Sequence, residues 1–292
     1  LRDAGWEADT TELTYEKGAR PAPHKNRAIA EWPVEGGRAD YALSVGVVAV
    51  GVLEAKRETI DVAGAIDQAK RYSRGLLHAE FPSGSPWRDY RVPFLFATNG
   101  RPYLRQLVTR SGIHFIDVRR QDNHSQALEG WYTPQGLEAL LEQDVATADE
   151  QLARKTAEHL GLRDYQIEVV RAVEQGLREG RRAMLVAMAT GTGKTKTAIG
   201  LMYRLLWAKR VRRVLFLVDR SSLGDQTEEA FKEMRLEQMR VFTDIYEVKG
   251  LKDFKPDKST KVHIATVQAM VQRVLYSDDV PPVDAYDFIL VD

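Results

Sequence analysis

The spacing of apolar and polar side chains differs between the two halves of the chain. In the first half, short apolar and β-branched runs alternate with glycine-containing turns, and one longer stretch repeats its apolar residues at helical spacing. We predict strands at residues 38–44, 47–54, 94–98 and 112–118, a helix at 62–77 and a loop at 131–136. The first two strands are close enough along the chain to form a hairpin.

From about residue 160 onward, strand and helix patterns alternate, which is typical of a parallel α/β sheet. We predict strands at residues 183–188, 213–219, 262–266 and 288–292, with helices between them, one of which covers 196–209. A helical stretch rich in Ala, Gln and Glu lies between the halves. The sequence therefore predicts a first domain over residues 1–136, a helical linker over 137–160 and a second domain over 161–292.

Composition narrows the classes of protein to consider. The chain has 292 residues, no cysteine and a formal net charge of zero. The lack of cysteine excludes disulfides, zinc fingers and thiol chemistry, and with no signal peptide or membrane-length apolar run it favours a cytoplasmic protein without membrane contact. A balanced net charge still permits a local basic groove for nucleic acid. Because the chain lacks an initiator Met and stops within an apolar run, we expect a piece of a longer protein.

A phosphate-binding loop is the most specific motif. It follows the predicted strand 183–188 and reads Ala189-Thr190-Gly191-Thr192-Gly193-Lys194-Thr195. The glycines allow backbone amides to turn toward phosphate oxygens, and a helix N-terminus adds partial positive charge. In such a loop Lys194 contacts the β- and γ-phosphates of ATP, and the Thr195 hydroxyl holds Mg²⁺. The residues Thr190, Gly191, Thr192 and Gly193 complete the predicted ATP contacts.

Four further stretches resemble motifs of superfamily 2 helicases and translocases. The general phosphate-loop pattern has glycine where this chain has Met188, a departure common in that superfamily. Leu162-Arg163-Asp164-Tyr165-Gln166 resembles the adenine-reading Q motif, which implies ATP contacts for Arg163 and Gln166. The end of the chain resembles the start of the DExx box, with Asp292 as the Mg²⁺ ligand. Because the glutamate that follows in that superfamily is absent, we expect this chain to bind ATP weakly and hardly hydrolyse it.

The other two stretches resemble the DNA-contacting motifs of the same superfamily. Residues 216–220, followed by Gln226, resemble motif Ia, and residues 264–268 resemble the next motif. The resemblance implies DNA contacts for Arg220, Gln226, Thr266 and Gln268. It also implies that the second domain is the first RecA-like lobe of a motor.

A second group of residues lies on the predicted hairpin and points to metal-dependent nuclease chemistry. Asp40 lies on the first strand, and Glu54-Ala55-Lys56 ends the second. Two carboxylates and the Ala55 carbonyl are hard oxygen ligands suited to Mg²⁺. Glu54 and Lys56 face the same side of the strand because side chains alternate, so the ammonium can orient a water or stabilise phosphorane charge. Glu7, on a possible N-terminal helix, is a lesser candidate for a further acidic ligand.

This arrangement resembles the PD-(D/E)xK nuclease core. Gln68 and Tyr72, four residues apart on the predicted helix, match the QxxxY motif of its RecB-like branch. Asp40, Glu54, Lys56, Gln68 and Tyr72 are therefore the candidate catalytic residues. The fold class predicted for the whole chain is α/β: a RecB-like nuclease domain with a mixed sheet, then a RecA-like parallel lobe.

Together the two halves resemble the restriction, or motor, subunit of a type I restriction–modification enzyme. The resemblance implies ATP and Mg²⁺ as cofactors, double-stranded DNA as substrate, and methyltransferase and specificity subunits as partners. It implies phage defence by ATP-driven translocation of DNA and cleavage away from the recognition site. Two alternatives stay open: another nuclease–helicase fusion in DNA repair or phage defence, and an ATP-binding DNA-docking module with an inactive nuclease. In type III restriction enzymes the nuclease lies at the other end of the chain, so the order here disfavours them.

Overall fold

The chain divides into two compact units by its internal contacts. The computed structural model describes residues 1–62, 64–102, 112–121, 123–219, 221–236, 240–253 and 255–292. The first unit comprises Leu1–Glu142 and Pro282–Asp284, and the second comprises Gln143–Pro281 and Ala285–Asp292. Within the described ranges, no helix has the length and hydropathy required to cross a membrane.

A mixed seven-stranded sheet forms the centre of the first unit. Its strands follow chain order across the sheet: β1 (Glu7–Ala8), β2 (Asn26–Val34), β3 (Gly37–Val45), β4 (Val48–Ala55), β5 (Phe94–Thr98), β6 (Ile113–Asp117) and β7 (Gln126–Leu128). The β1–β2 and β4–β5 pairs are parallel and the others antiparallel. The predicted hairpin and the strands near 94–98 and 112–118 are confirmed, each with ends within two residues of the predicted ones.

Helix α1 (Ala65–Gly75) connects β4 to β5 and covers one face of this sheet. Ile66 and Ala69 of α1 pack into a buried cluster with Val52 of β4 and Leu95 of β5. The opposite face carries an aromatic cluster that α2 (Pro134–Leu141) joins through Leu137. Both faces of the sheet are therefore covered, and α1 is held directly above the strands that carry the candidate nuclease residues.

The second unit has a four-stranded parallel sheet, as the alternating pattern predicts. The strand order is β11 (Phe288–Val291), β8 (Val214–Val218), β10 (Thr260–Thr266) and β9 (Glu247–Lys249). Its helices are α3 (Val145–Arg154), α4 (Asp164–Arg178), α5 (Lys194–Trp207), α6 (Ser221–Glu233), α7 (Phe242–Ile245) and α8 (Val267–Leu275), with a 3₁₀ turn at Glu158–Leu160. One continuous apolar core joins α3, α4, α5 and the sheet.

The strand predicted at residues 183–188 does not form, and that prediction was wrong for this structure. Residues 181–189 have no strand assignment, and Leu185 is 97% exposed. An apolar run predicts burial, but a strand also needs a neighbour along its full length to accept its backbone hydrogen bonds. Within the described residues β11, at the sheet edge, has only β8 as a strand partner.

The helical stretch predicted as a linker is divided between the two units. Helix α2 begins at Pro134, inside the predicted loop, and belongs to the first unit, whereas α3 belongs to the second. Ala148 and Leu152 of α3 lie in the core of the second unit. Residues 145–160 are thus an integral part of that unit's packing, because their apolar face is buried there.

A buried ion pair fixes this segment to helix α5. Arg204, which is 1% exposed, donates to both carboxylate oxygens of Glu174 on α4, at 2.6 and 3.0 Å. The same guanidinium donates to the carbonyls of Leu152 at 2.8 Å, Lys155 at 2.9 Å and Thr156 at 3.1 Å. A buried charge is tolerated when its hydrogen-bonding groups are paired in this way.

We expect Arg204→Leu to lower the free energy of unfolding by about 3–5 kcal/mol, the cost of leaving a buried charge without its partner. Glu174 and three backbone carbonyls lose their donor, and chemical denaturation measures the loss. The double variant Arg204→Leu/Glu174→Leu is expected to be more stable than the single one, because no charge stays buried. Equal stability of the single variant and wild type would contradict this role.

Candidate functional sites

Two acidic side chains meet where strands β3 and β4 stop pairing. The antiparallel register ends at Tyr41 opposite Leu53, which places Asp40 opposite Glu54 just beyond the last pair. Asp40 Oδ2 accepts a hydrogen bond of 2.6 Å from the Ala55 backbone N–H. Ala55, whose carbonyl is the third oxygen of the predicted ligand set, is the last residue of β4.

The Lys56 ammonium is held between β4 and α1. It forms an ion pair and hydrogen bond with Glu54 Oε1, and it donates to Gln68 Oε1 at 2.8 Å. Gln68 in turn donates from Nε2 to the Tyr72 hydroxyl at 2.5 Å. The Lys56 backbone N–H donates to Thr98 of β5 at 2.7 Å, which fixes the start of the loop after β4. Glu54, Lys56, Gln68 and Tyr72 are therefore joined by side-chain contacts, and Asp40 is held beside them through its bond to the Ala55 backbone.

Burial changes the acidity of two groups in this cluster. Desolvation raises the pKa of Glu54, an effect that the Lys56 hydrogen bond opposes and that the Asp40 charge reinforces. Burial also raises the pKa of Tyr72 to about 12, with a further contribution from the charge of Glu54. Tyr72 is thus a neutral phenol at physiological pH.

The donor set fits a divalent cation that prefers oxygen ligands. Glu54 is 2% exposed, and its Oε2 atom is buried without a hydrogen-bond partner. A buried carboxylate oxygen without a donor is costly unless a cation or proton compensates it. Across the described residues, no cluster of three or more His, Cys, Asp or Glu side chains forms a metal centre. The candidate ligands are therefore the two predicted carboxylates and the Ala55 carbonyl.

The lesser candidate Glu7 is part of a different local structure. It lies on strand β1 rather than on the predicted helix, and it forms ion pairs with Lys25 at 2.8 Å and Arg27 at 3.0 Å. These ion pairs lower its pKa. The prediction of a helix at Glu7 was wrong, because a two-residue strand beside β2 carries too short a pattern to recognise.

Sequence reasoning missed Asn99 as a structural part of this site. Asn99 is buried and donates from Nδ2 to the Ile60 carbonyl at 2.8 Å, in the loop that follows Lys56. The Asn99-Gly100 pair signals a turn, but nothing in the sequence indicates which distant carbonyl the amide contacts. Asn99 thus fixes the loop between the candidate lysine and helix α1.

In the second unit, the predicted phosphate loop directly precedes α5. Gly191 and Gly193 have φ values of 79° and 82°, a left-handed conformation that favours glycine. Lys194 is the first residue of α5 and its side chain is exposed, while Thr195 is half-buried beside it. Thr192 closes the turn through its hydroxyl, which donates to the Ala189 carbonyl at 2.6 Å. Thr190 is exposed at the start of the turn.

The predicted Q motif contacts this loop directly. Gln166 donates from Nε2 to the Thr192 carbonyl at 2.9 Å, and its Oε1 accepts from the Arg163 backbone N–H at 2.9 Å. Both ends of the amide are thus engaged, so an adenine contact by Gln166 stays a prediction. Tyr165 lies within the predicted Q motif but was not among the predicted ATP contacts. Its hydroxyl donates to the Thr192 carbonyl at 2.8 Å. Arg163 donates to that hydroxyl at 3.2 Å.

The remaining predicted residues follow the carboxyl ends of the parallel strands. Asp292 follows β11, and its backbone N–H donates to Leu217 of β8 at 2.9 Å. The Thr266 hydroxyl ends β10 and accepts from the Ala269 N–H at 3.1 Å, which caps α8. Gln226 on α6 and Gln268 on α8 are exposed. The predicted DNA contact at Arg220 lies outside the described residues.

Each unit matches a family of restriction enzymes. Residues 7–141 match the family model described as "Type I restriction enzyme EcoKI endonuclease subunit second domain". Residues 159–292 match the family model described as "Type III restriction enzyme, res subunit". The order of the two matches along the chain is the order in which the two candidate sites occur.

Type I restriction endonuclease subunits of two bacterial species are similar to most of this chain. It is 43% identical over its whole length to the type I restriction enzyme EcoKI endonuclease subunit of Escherichia coli K12. It is 25% identical over 78% of its length to the EcoAI endonuclease subunit of E. coli, and 25% identical over 81% to the SauCOLORF180P endonuclease subunit of Staphylococcus aureus COL.

The chain spans 28%, 26% and 25% of the length of these three relatives, respectively. The similarity therefore concerns the region that carries both the acidic cluster and the phosphate loop. Over the region that it spans, this chain belongs to the family of type I restriction endonuclease subunits.

Proposed function

We propose that this chain supplies the nuclease site and the ATP-binding lobe of a type I restriction subunit. The proposed activity is ATP-dependent translocation of double-stranded DNA, coupled to Mg²⁺-dependent cleavage away from a recognition site. Methyltransferase and specificity subunits are the proposed partners, and the cell compartment is the cytoplasm. The observation that carries the nuclease proposal is the connected group of Asp40, Glu54, Lys56, Gln68 and Tyr72 on a β-hairpin and its covering helix.

The chain's own residues have distinct roles in the proposed cleavage. Asp40, Glu54 and the Ala55 carbonyl hold Mg²⁺, which when bound supplies positive charge and acidifies a bound water. Lys56, fixed by Glu54 and Gln68, places an ammonium where it can orient the attacking water and stabilise negative charge on the phosphorane. This is a PD-(D/E)xK nuclease of the RecB-like branch.

The proposed nucleotide site uses the turn before α5. Backbone amides of residues 190–195 surround the phosphates, and the dipole of α5 favours their negative charge. Lys194 pairs with the β- and γ-phosphates, and Thr195 and Asp292 hold the accompanying Mg²⁺. Gln166 keeps the turn in place from α4 through its bonds to Thr192 and Gly193.

A magnesium titration of DNA cleavage tests the nuclease proposal in the full-length protein. We expect Glu54→Gln to reduce the cleavage rate by at least ~10²-fold, the scale for loss of one preorganised electrostatic group, and to raise the Mg²⁺ concentration required. Stability is expected to hold or rise, since burial already raises the Glu54 pKa and so disfavours the charged form. The matched control Asp67→Asn removes an exposed carboxylate of α1 that pairs with Lys70. Cleavage by Glu54→Gln with an unchanged magnesium dependence would contradict the proposal.

A further inference from the structure

We propose that Arg57 and Arg71 form a phosphate clamp that holds the DNA backbone beside the candidate nuclease site. The inference rests on the proposed nuclease function and adds its substrate-holding residues. The two arginines bind phosphates that neighbour the one to be cut, and they take no part in the chemical step.

The first reason is that these two cations are unpaired. Most basic side chains of the first unit are neutralised: Arg2, Lys17, Lys25, Arg27, Arg38, Lys70, Arg74, Arg91 and Arg119 all form ion pairs. The side chains of Arg57 and Arg71 are exposed and have no hydrogen bond, ion pair or ring contact anywhere in the part of the chain that the structure describes. A guanidinium without an internal partner keeps all its donors for a ligand.

The second reason is their position along the chain, close to residues of the catalytic group. Arg57 directly follows Lys56, and its carbonyl accepts from the Ile60 N–H at 2.9 Å, in the loop that Asn99 anchors. Arg71 is three residues after Gln68 on α1, so the two side chains occupy neighbouring positions on the helix surface. The 2.8 Å hydrogen bond between Lys56 and Gln68 connects the loop that contains Arg57 to the helix that contains Arg71.

The third reason is the charge of the cluster itself. Asp40 and Glu54 carry two negative charges against the single positive charge of Lys56, so the site repels a phosphodiester backbone until cations offset it. Arginine suits this task because its planar fork donates two parallel hydrogen bonds to a phosphate. Arg57 and Arg71 supply the two uncompensated positive charges closest along the chain to this cluster.

Neighbouring Arg74 provides a matched control on the same helix. Its guanidinium pairs with Asp89, donates to the Tyr90 hydroxyl at 2.8 Å and lies 4.6 Å from the centre of that ring. The Arg74 guanidinium is therefore already bound within the protein. Its replacement removes the same formal charge as Arg71→Gln but removes no guanidinium that is available to bind a phosphate.

The test measures DNA binding by the full-length protein over a range of salt concentrations. The background variant is Asp40→Asn, which is expected to prevent cleavage, and a short duplex without a recognition site is the probe. Each phosphate contact to B-form DNA contributes about 0.9 to the slope of log affinity against log salt concentration. We expect Arg57→Gln and Arg71→Gln each to reduce that slope by about 0.9 and to weaken binding by about tenfold at 0.1 M salt. Arg57→Lys and Arg71→Lys are expected to restore most of the slope, since lysine also binds phosphate as a point charge.

Two results would overturn the clamp. One is an unchanged slope in both glutamine variants, and the other is an equal loss in Arg74→Gln, which would indicate a general effect of net charge. A wrong proposal for the nuclease function would give a different result from a wrong clamp, because Asp40→Asn would then still cut DNA. If Asp40→Asn abolishes cleavage while the arginine variants bind normally, only the clamp is wrong.

Discussion

Asp40→Asn in the full-length protein is expected to abolish DNA cleavage while ATP hydrolysis and translocation continue at the wild-type rate. Asp40 lies opposite Glu54 at the end of the hairpin, and these are the two carboxylates proposed to hold Mg²⁺. Loss of that charge is expected to reduce the cleavage rate by at least ~10²-fold. The phosphate loop belongs to the other compact unit, so its chemistry has no reason to change.

Asparagine is the informative replacement because it keeps a local hydrogen bond. The Asp40 side chain accepts from the Ala55 N–H at 2.6 Å, and an amide oxygen can accept the same bond. Lys56→Ala is also expected to stop cleavage, but it leaves buried Glu54 without its cation and so mixes catalytic and stability effects.

Cleavage of plasmid DNA and displacement of a DNA-bound triplex strand measure the two activities separately. Asp67→Asn, an exposed acid on α1, is the control and should cut like wild type. Loss of both activities in Asp40→Asn would mean that the residue supports folding. Retention of cleavage would place the catalytic metal elsewhere.

The hairpin and its site were predictable from the sequence because the signals are local. Alternation along β3 and β4 fixes which side chains share a face, and a short turn fixes the pairing of the strands. With that register Asp40 falls opposite Glu54, and Lys56 falls on the same face as Glu54. Helical spacing similarly places Gln68 and Tyr72 on one side of α1, where the structure joins them by a hydrogen bond.

Features that depend on distant partners were not predictable. The amide of Asn99 contacts Ile60, and Arg204 bonds to Glu174 and to carbonyls 48 to 52 residues earlier in the chain. No sequence periodicity or motif indicates such contacts, because they depend on how helices pack and not on residue spacing along one element. The unformed strand at 183–188 has the same cause, since a strand exists only with a neighbour.

The two units also differ in how completely the sequence defines their chemistry. In the first unit, Glu54, Lys56, Gln68 and Tyr72 are already joined by side-chain hydrogen bonds. In the second, the glycines and Lys194 adopt the expected turn and helix start, while Gln166 holds the turn through Thr192. A sequence motif identifies which atoms can bind a phosphate. The hydrogen bonds around the motif determine whether the turn has the conformation that phosphate binding requires.

Lys194→Ala is expected to abolish ATP hydrolysis, translocation and cleavage that depends on translocation. The Lys194 side chain is exposed at the first position of α5 and has no hydrogen bond or ion pair within the described ranges, so its ammonium is available to phosphate oxygens. Removing it withdraws a positive charge that stabilises the transferring phosphoryl group, an effect of about 10²–10³-fold or more on turnover.

The matched control is Lys196→Ala, which removes an exposed lysine two residues further along the same helix. Its side chain points away from the turn by the helical rotation of about 200° over two residues. We expect this variant to hydrolyse ATP and move DNA like wild type. Steady-state phosphate release and long-range cleavage of the same DNA are the measurements. Lys194→Ala leaves Asp40, Glu54 and Lys56 unchanged. Cleavage by this variant with continued ATP consumption would therefore show that the motor does not use this loop to bind ATP.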